Sequence, residues 1–128
     1  MTDPQVWACM DLWQHADRMV GGGELVIDRP VGSVHPKVRE FVYPLDYGYI
    51  AGTAGGDGEC VDVWVGSDTR ECVTAVACTI DPFKGDAELK LLWRCTPGQI
   101  SQIEDFYRPQ PQAAMLVRRP EPFGSSGC

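Results

Sequence analysis

Short strand-like segments separated by turn residues constrain the fold of this chain most strongly. Residues 60–65, 72–80 and 87–95 are rich in β-branched or alternating apolar side chains, and a Gly-Gly-Asp-Gly turn at residues 55–58 precedes the first of them. Segments of this kind are typical of β-strands, and such a turn is typical of a hairpin. The sequence therefore predicts a mainly β protein.

Two helices are predicted beside these strands. Residues 6–17 carry apolar side chains at helical spacing, and the glycine run at residues 21–23 would end the helix. Thr96 is a typical N-cap, with Pro in the first turn and Gln99 at the capping-box position, so a helix is predicted over residues 97–107. Two further strands are predicted, at residues 24–28 and 114–117.

With 128 residues, the chain is long enough for one domain and too short for two. We predict one domain over residues 1–128, with an N-terminal helix and connector over 1–22 and a flexible tail over 118–128. The sequence has no apolar run of membrane-spanning length and no signal-peptide pattern, so a cytoplasmic protein is expected. The six cysteines form no CxxC pair and are interpreted as reduced.

The net charge of −7 argues against a nucleic-acid-binding surface, which would need clustered Lys and Arg. The same charge would repel an anionic substrate. An enzyme acting on such a substrate would therefore need metal cations between the acidic protein and the anion.

Two groups of carboxylates suggest where such cations would bind. Asp57, Glu59 and Asp62 lie in and after the 55–58 turn, and Asp62 interrupts an apolar strand on the face opposite its valines. Two like charges about 4 Å apart repel by about 4 kcal/mol at an effective dielectric constant near 20, so clustered carboxylates need a bound cation. Oxygen ligands without His or Cys favour Mg²⁺ or Mn²⁺.

The second group of carboxylates lies at the next hairpin. Alternation there places Asp86, Glu88 and Lys90 on one face, and Asp81 ends the preceding strand.

Ordinary turn chemistry is the alternative explanation. Asp and Gly are what tight turns require, so the Asp-Gly-Glu run and Asp81-Pro82 could serve turn formation alone. The spacing also does not fit an EF-hand loop. Asp62 is the one carboxylate that turn chemistry does not explain.

Two sequence blocks resemble the soluble inorganic pyrophosphatase family. Residues 43–50 read YPLDYGYI and residues 57–63 read DGECVDV, where the family has YPxNYGYI, a Thr-containing spacer and DGDPxDV. The resemblance extends over about residues 25–107 and includes Asp28 two residues before Pro30, and Asp81 and Asp86 five residues apart. It implies a mainly β (α+β) fold, an OB-like five-stranded closed barrel with flanking helices.

The resemblance also implies roles for these residues in a site with several Mg²⁺ ions. Asp57, Asp62 and Asp86 would bind the metal pair that shares the nucleophilic water, Asp81 a third ion and Asp28 a further one. Glu59 would accept the proton of that water. The residues that would bind phosphate are Lys37, Tyr47, Lys90, Arg39 and Tyr107.

Several positions depart from the family pattern. Glu59 and Cys60 replace Asp and Pro, and Asp46 replaces Asn. The segment between Lys37 and Tyr43 is shorter and lacks a phosphate-binding arginine, for which Arg39 is the candidate substitute. Glu88 stands where the family has a lysine, and Lys90 would supply that charge from the same strand face.

The resemblance implies a Mg²⁺-dependent inorganic diphosphatase that acts on a small anionic substrate, without a nucleic-acid or membrane partner. The shortened segment leaves two alternatives open: hydrolysis of another small phosphoanhydride or phosphoester, and a noncatalytic relative that binds metal or phosphate. Assembly into a homo-oligomer also stays open, because no residue identifies an interface.

Overall fold

The described part of the chain forms six strands and two helices. The computed structural model describes residues 10–120. The helices are α1 (Leu12–Gly22) and α2 (Pro97–Tyr107). The strands are β1 (Glu24–Arg29), β2 (Asp46–Ala51), β3 (Val61–Val65), β4 (Val73–Asp81), β5 (Asp86–Trp93) and β6 (Ala113–Arg118).

Both helices begin at a capping box. The Asp11 carboxylate accepts a hydrogen bond from the Gln14 backbone at 2.9 Å, and the Gln14 side chain accepts one from the Asp11 backbone. Thr96 and Gln99 make the same reciprocal pair at the start of α2, which confirms the predicted helix over residues 97–107. Residues 6–9 of the other predicted helix, like residues 121–128 of the predicted tail, lie outside the described residues.

The predicted closed five-stranded barrel is wrong. The strands form a six-stranded open sheet in the order β1-β2-β3-β5-β4-β6, in which only β3 and β5 are parallel. Closure would require the two edge strands to pair, but within residues 10–120 β1 pairs only with β2, and β6 only with β4. The 114–117 segment, which the resemblance does not cover, adds the sixth strand.

Each face of the open sheet carries its own hydrophobic core, because one helix packs on each side. Trp64 belongs to the cluster under α2, together with Ile100, Ile103 and partly buried Phe106. Val63, the next residue towards the N terminus, belongs to the opposite cluster, which includes Ala16 and Val20 of α1. This confirms the predicted alternation along β3, and Asp62 lies on the α2 side with Trp64.

Strand β1 contains a bulge that changes which side chains face the α2 side. Ile27 is paired with Gly48 and Arg29 with Tyr47, so Asp28 has no partner position in β2. A Cβ atom on Gly48 would lie 1.8 Å from the Val26 carbonyl oxygen, so only glycine permits this close pairing of β1 and β2.

Hydrogen bonds hold the loop after β1 against the sheet. The Asp46 carboxylate accepts a hydrogen bond from the Val31 backbone at 2.8 Å, and an isolated bridge joins Val34 to Val42. The carboxylate of Asp46, at the position where the family pattern has Asn, therefore holds this loop in place.

Three cysteines, Cys60, Cys78 and Cys95, carry free thiols as predicted. Cys72 is disulfide-bonded, so the interpretation of all cysteines as reduced is wrong at that position. No helix within residues 10–120 combines the length and apolar character needed to cross a membrane.

Candidate functional site

A cleft of about 880 Å³ opens on the α2 side of the sheet, beside the C-terminal end of α2. It collects side chains from β1, the following loop, β2, the 55–58 turn, β3 and the β4–β5 hairpin. Ten of the predicted site residues line it: Asp28, Lys37, Tyr47, Asp57, Glu59, Asp62, Asp81, Asp86, Lys90 and Tyr107. Arg39, the predicted substitute for the missing arginine, does not line it.

Asp57, Asp86 and Glu88 form the tightest group of carboxylates in the cleft. One oxygen from each lies within 4.8 Å of the others. A glycine makes this approach possible, since a Cβ atom on Gly56 would lie 2.6 Å from the Ala87 carbonyl oxygen of β5. The turn also uses the Asp57 carboxylate, which accepts the Glu59 backbone N–H at 3.0 Å.

Asp57 and Glu88 influence each other electrostatically. The hydrogen bond with Glu88 lowers the pKa of Asp57, while burial and the same contact raise the pKa of Glu88. Two carboxyl groups this close are stabilised by sharing one proton, so that only one is ionised. A divalent cation bound between them would take the place of that proton.

The group fits Mg²⁺ or Mn²⁺. Oxygens that share one Mg²⁺ at about 2.1 Å lie roughly 3 to 4 Å from each other, so small side-chain movements would place all three around one ion. All three ligand atoms are carboxylate oxygens, which suit these ions better than Zn²⁺. Glu88 completes this group with Asp57 and Asp86, whereas the expected third member was Asp62.

Asp62 contacts Lys90 instead. The Lys90 ammonium lies 3.0 Å from the Asp62 carboxylate, 3.2 Å from Glu88 and 2.8 Å from the Tyr47 hydroxyl. Burial by itself would lower the pKa of Lys90, but the surrounding Tyr107, Tyr47 and Asp62 raise it further than burial lowers it. Lys90 is therefore a permanent positive charge among the carboxylates.

Two tyrosines line the cleft next to Lys90. Burial raises the pKa of Tyr47 well above its usual value, and it raises the pKa of Tyr107 to about 12. The Tyr107 hydroxyl accepts a hydrogen bond from the Trp64 indole at 3.2 Å, and the Tyr47 hydroxyl accepts one from Lys90. Both side chains stay neutral at physiological pH, and the O–H of each can donate to an anion.

The remaining predicted carboxylates of the cleft are Asp81, Glu59 and Asp28. One oxygen of Asp81 accepts the backbone N–H groups of Phe83 and Lys84, at 2.9 and 3.2 Å, and so shapes the β4–β5 turn. Glu59 and Asp28 are exposed, and Asp28 lies at the β1 bulge. We call the six carboxylates of the turn, β3 and the hairpin the acidic wall: Asp57, Glu59, Asp62, Asp81, Asp86 and Glu88.

A second group of cleft residues, which we call the basic wall, is formed by Arg29, His35 and Lys37. Arg29 donates a hydrogen bond to the Tyr43 hydroxyl. His35 stacks on Tyr43, and its Nδ1 accepts the Lys37 backbone N–H at 3.1 Å. Burial and the charges of Arg29, Lys37 and Lys84 lower the pKa of His35.

The cleft also contains residues that were not among the predicted site residues, and Glu88, Arg29 and His35 are among them. For Glu88 a signal existed, since strand alternation places it on the same face as Asp86 and Lys90. For Arg29 the signal was misleading, because alternation puts Arg29 and Asp28 on opposite faces and only the bulge brings both to the cleft. No local pattern marks His35, whose position depends on the path of the loop.

Comparison of the sequence with models of known protein families and with curated proteins finds no match.

Proposed function

We propose that this protein hydrolyses inorganic pyrophosphate to two phosphates with the help of Mg²⁺. One observation carries the proposal: a single cleft contains all five aspartates expected to bind metal, together with Glu59, Lys37 and Tyr47. These residues come from separate segments between positions 28 and 86. Their convergence is what a phosphoanhydride hydrolase with several ions requires.

The acidic wall would hold the cations, with Asp57, Asp86 and Glu88 around one of them. Bound Mg²⁺ would lower the pKa of a coordinated water and neutralise negative charge on the phosphates. Lys90 holds the carboxylates of Asp62 and Glu88 in place through its contacts at 3.0 and 3.2 Å.

Glu59 is the proposed general base. Its backbone N–H is fixed by the Asp57 carboxylate, so its side chain starts from a defined position at the edge of the acidic wall. In the reaction, the oxygen of a water molecule bonds to one phosphorus while the bond from that phosphorus to the bridging oxygen breaks. Glu59 would take the proton that the water loses, and Lys37 and Tyr47 would donate hydrogen bonds to phosphate oxygens.

Phosphate release in the presence of Mg²⁺ tests this proposal. We expect wild-type protein to release phosphate from pyrophosphate, Glu59→Gln to lower kcat by roughly a hundredfold or more, and Asp62→Asn by roughly ten- to a hundredfold. Asp105→Asn is the matched control, because Asp105 is an exposed residue of α2 that pairs with Arg108 and does not line the cleft. Absence of phosphate release by wild-type protein at micromolar concentration would refute the proposal.

The volume of the cleft favours one second candidate, hydrolysis of a larger phosphoanhydride such as a nucleoside triphosphate. About 880 Å³ is in the upper part of the range of sites for drug-sized ligands, and exposed Phe83 lies at its edge. The same assay with nucleoside triphosphates distinguishes the two substrates. A Mg²⁺-induced rise in melting temperature without any phosphate release would instead indicate a noncatalytic metal-binding protein.

The proposed location is the cytoplasm. The free thiols of Cys60, Cys78 and Cys95 are typical of a reducing compartment, whereas the disulfide at Cys72 is the observation against it.

A further inference from the structure

We propose that Arg29 is a specificity-determining residue that binds a phosphate group of the substrate at the basic wall of the cleft. The inference rests on the proposed function in one respect, namely that the bound anion is a phosphate of the hydrolysed substrate. It does not rest on the family resemblance, which assigns Arg29 no role.

The β1 bulge is the structural cause of the position of Arg29. In a regular strand, Asp28 and Arg29 would point to opposite faces. The bulge leaves Asp28 without a partner and pairs Arg29 with Tyr47, so both residues line the cleft. A bulge that redirects side chains in this way is common next to functional sites.

Aromatic side chains hold the guanidinium of Arg29 in the cleft. One N–H group donates to the Tyr43 hydroxyl, and the central carbon lies 5.5 Å from the centre of the Tyr43 ring and 5.9 Å from that of Tyr47. These contacts fix the guanidinium but leave most of its five N–H donors without a hydrogen-bond partner in the part of the chain that the structure describes.

Arg29 makes no salt bridge with a carboxylate within residues 10–120, although the charge of the neighbouring Asp28 acts on it. Four other arginines in this range pair with carboxylates: Arg70 with Asp68, Arg108 with Asp105, Arg118 with Glu104 and Arg119 with Asp17. Arg18, Arg39 and Arg94 make no such pair within residues 10–120, but none of them lines the cleft. A cleft arginine that is positioned by aromatic rings and makes no salt bridge is available to an anionic ligand.

The surroundings of Arg29 favour an anion with several oxygens. Lys37 and His35 also line the cleft, and the pKa of His35 is lowered by burial and by the positive charges of Arg29, Lys37 and Lys84. A planar guanidinium binds two oxygens of one phosphate in parallel, which an ammonium group cannot do. Of the carboxylates expected to bind metal, all but Asp28 belong to the acidic wall, so one phosphate would face the cations there and the other Arg29.

Variants of Arg29 test the inference through two independent readouts. The first is the binding of inorganic phosphate to the full chain with Mg²⁺, measured by calorimetry, with acetate as the comparison anion. The second is the separation of KM from kcat for pyrophosphate. We expect Arg29→Gln to weaken phosphate binding and to raise KM, each about ten- to a hundredfold, with kcat changed less.

Two milder variants at this site keep the test interpretable if Arg29→Gln fails to fold. Arg29→Lys keeps the charge and the alkyl chain but loses the planar donor pair, so an intermediate effect is expected with an unchanged melting temperature. Tyr43→Phe removes the hydrogen bond that orients the guanidinium and should raise KM by a few fold. Arg118→Gln is the matched control, since Arg118 lies on β6 away from the cleft and should leave both readouts unchanged.

The outcomes separate this inference from the proposed function. Phosphate binding that Arg29→Gln abolishes, in a protein that hydrolyses nothing, would support Arg29 as a phosphate-binding residue and refute the proposed function. Normal hydrolysis with unchanged KM and unchanged phosphate affinity in both Arg29 variants would refute the inference alone. It would also be refuted if Arg39→Gln raised KM and Arg29→Gln did not.

Discussion

The acidic and basic walls of the cleft differ in how the chain builds them. The acidic wall comes from a glycine-rich turn and a hairpin, whose strands place Asp86, Glu88 and Lys90 on one face by simple alternation. The basic wall comes from one short stretch, in which a bulge and a loop decide where Arg29 and Lys37 lie. One part of a site can thus follow from regular strand alternation, while another part depends on a bulge that interrupts this alternation.

The two walls should also affect catalysis differently. Under the proposed function, cations held by the acidic wall would act on the reacting phosphate, whereas the cationic side chains of the basic wall would act on substrate affinity. Three measurements test this comparison.

Removing one carboxylate of the acidic wall should have the largest effect. We expect Asp86→Asn to lower kcat for Mg²⁺-dependent phosphate release by at least about a hundredfold, because the group of Asp57, Asp86 and Glu88 loses one of its three charges. Lys37→Gln should instead raise KM by about tenfold with a smaller change in kcat. Steady-state kinetics at saturating Mg²⁺ would measure both.

Two results would contradict the expected difference between the walls. Asp86→Asn could change KM alone, or Lys37→Gln could lower kcat as much as Asp86→Asn does. Asp105→Asn again serves as the carboxylate control outside the cleft.

Replacing Lys90 should have the next largest effect, on stability. Lys90 is buried and contacts Asp62, Glu88 and Tyr47, so Lys90→Met leaves two neighbouring carboxylates without their counter-ion. We expect the free energy of unfolding to fall by about 2 to 4 kcal/mol. In Arg108→Met, which breaks an exposed pair with Asp105, the loss should be below about 1 kcal/mol.

Urea unfolding of both variants without Mg²⁺ gives these values. Equal stability losses in the two variants would mean that Lys90 does not hold the acidic wall together.

The pH dependence of stability without metal should show the smallest effect. Glu88 has a raised pKa in the folded protein, so the fold binds its proton more tightly than the unfolded chain and loses stability as pH rises above 4.5, the usual value for Glu. The lowered pKa of Asp57 acts in the opposite direction and in another range, since its stabilising contribution is lost as pH falls below 3.8.

Glu88→Gln should therefore reduce the loss of stability between pH 4.5 and 8 in the presence of a chelator. Urea unfolding of both proteins at each pH measures the difference. A wild-type curve parallel to that of the variant across this range would contradict a shared proton between Asp57 and Glu88.

Much of the local structure could be predicted from the sequence. The capping box at Thr96 fixed the start of α2, and alternation along β3 placed Asp62 and Val63 on opposite faces. Such features depend on residues a few positions apart, so they can be found in a single sequence. Ten of the eleven predicted site residues line one cleft. They could be named in advance because they lie in or near the two blocks that resemble the pyrophosphatase family, or at positions with a fixed spacing from them.

The sequence by itself determined the helices and strands, the faces of their residues and ten of the residues that line the cleft. Only the tertiary structure decided that the sheet stays open, that β6 joins β4, that Glu88 completes the group with Asp57 and Asp86, and that Arg29 enters the cleft. The physical reason is that sheet closure, strand order and a bulge depend on hydrogen bonds between segments far apart in the chain. No local pattern of polar and apolar residues encodes those bonds.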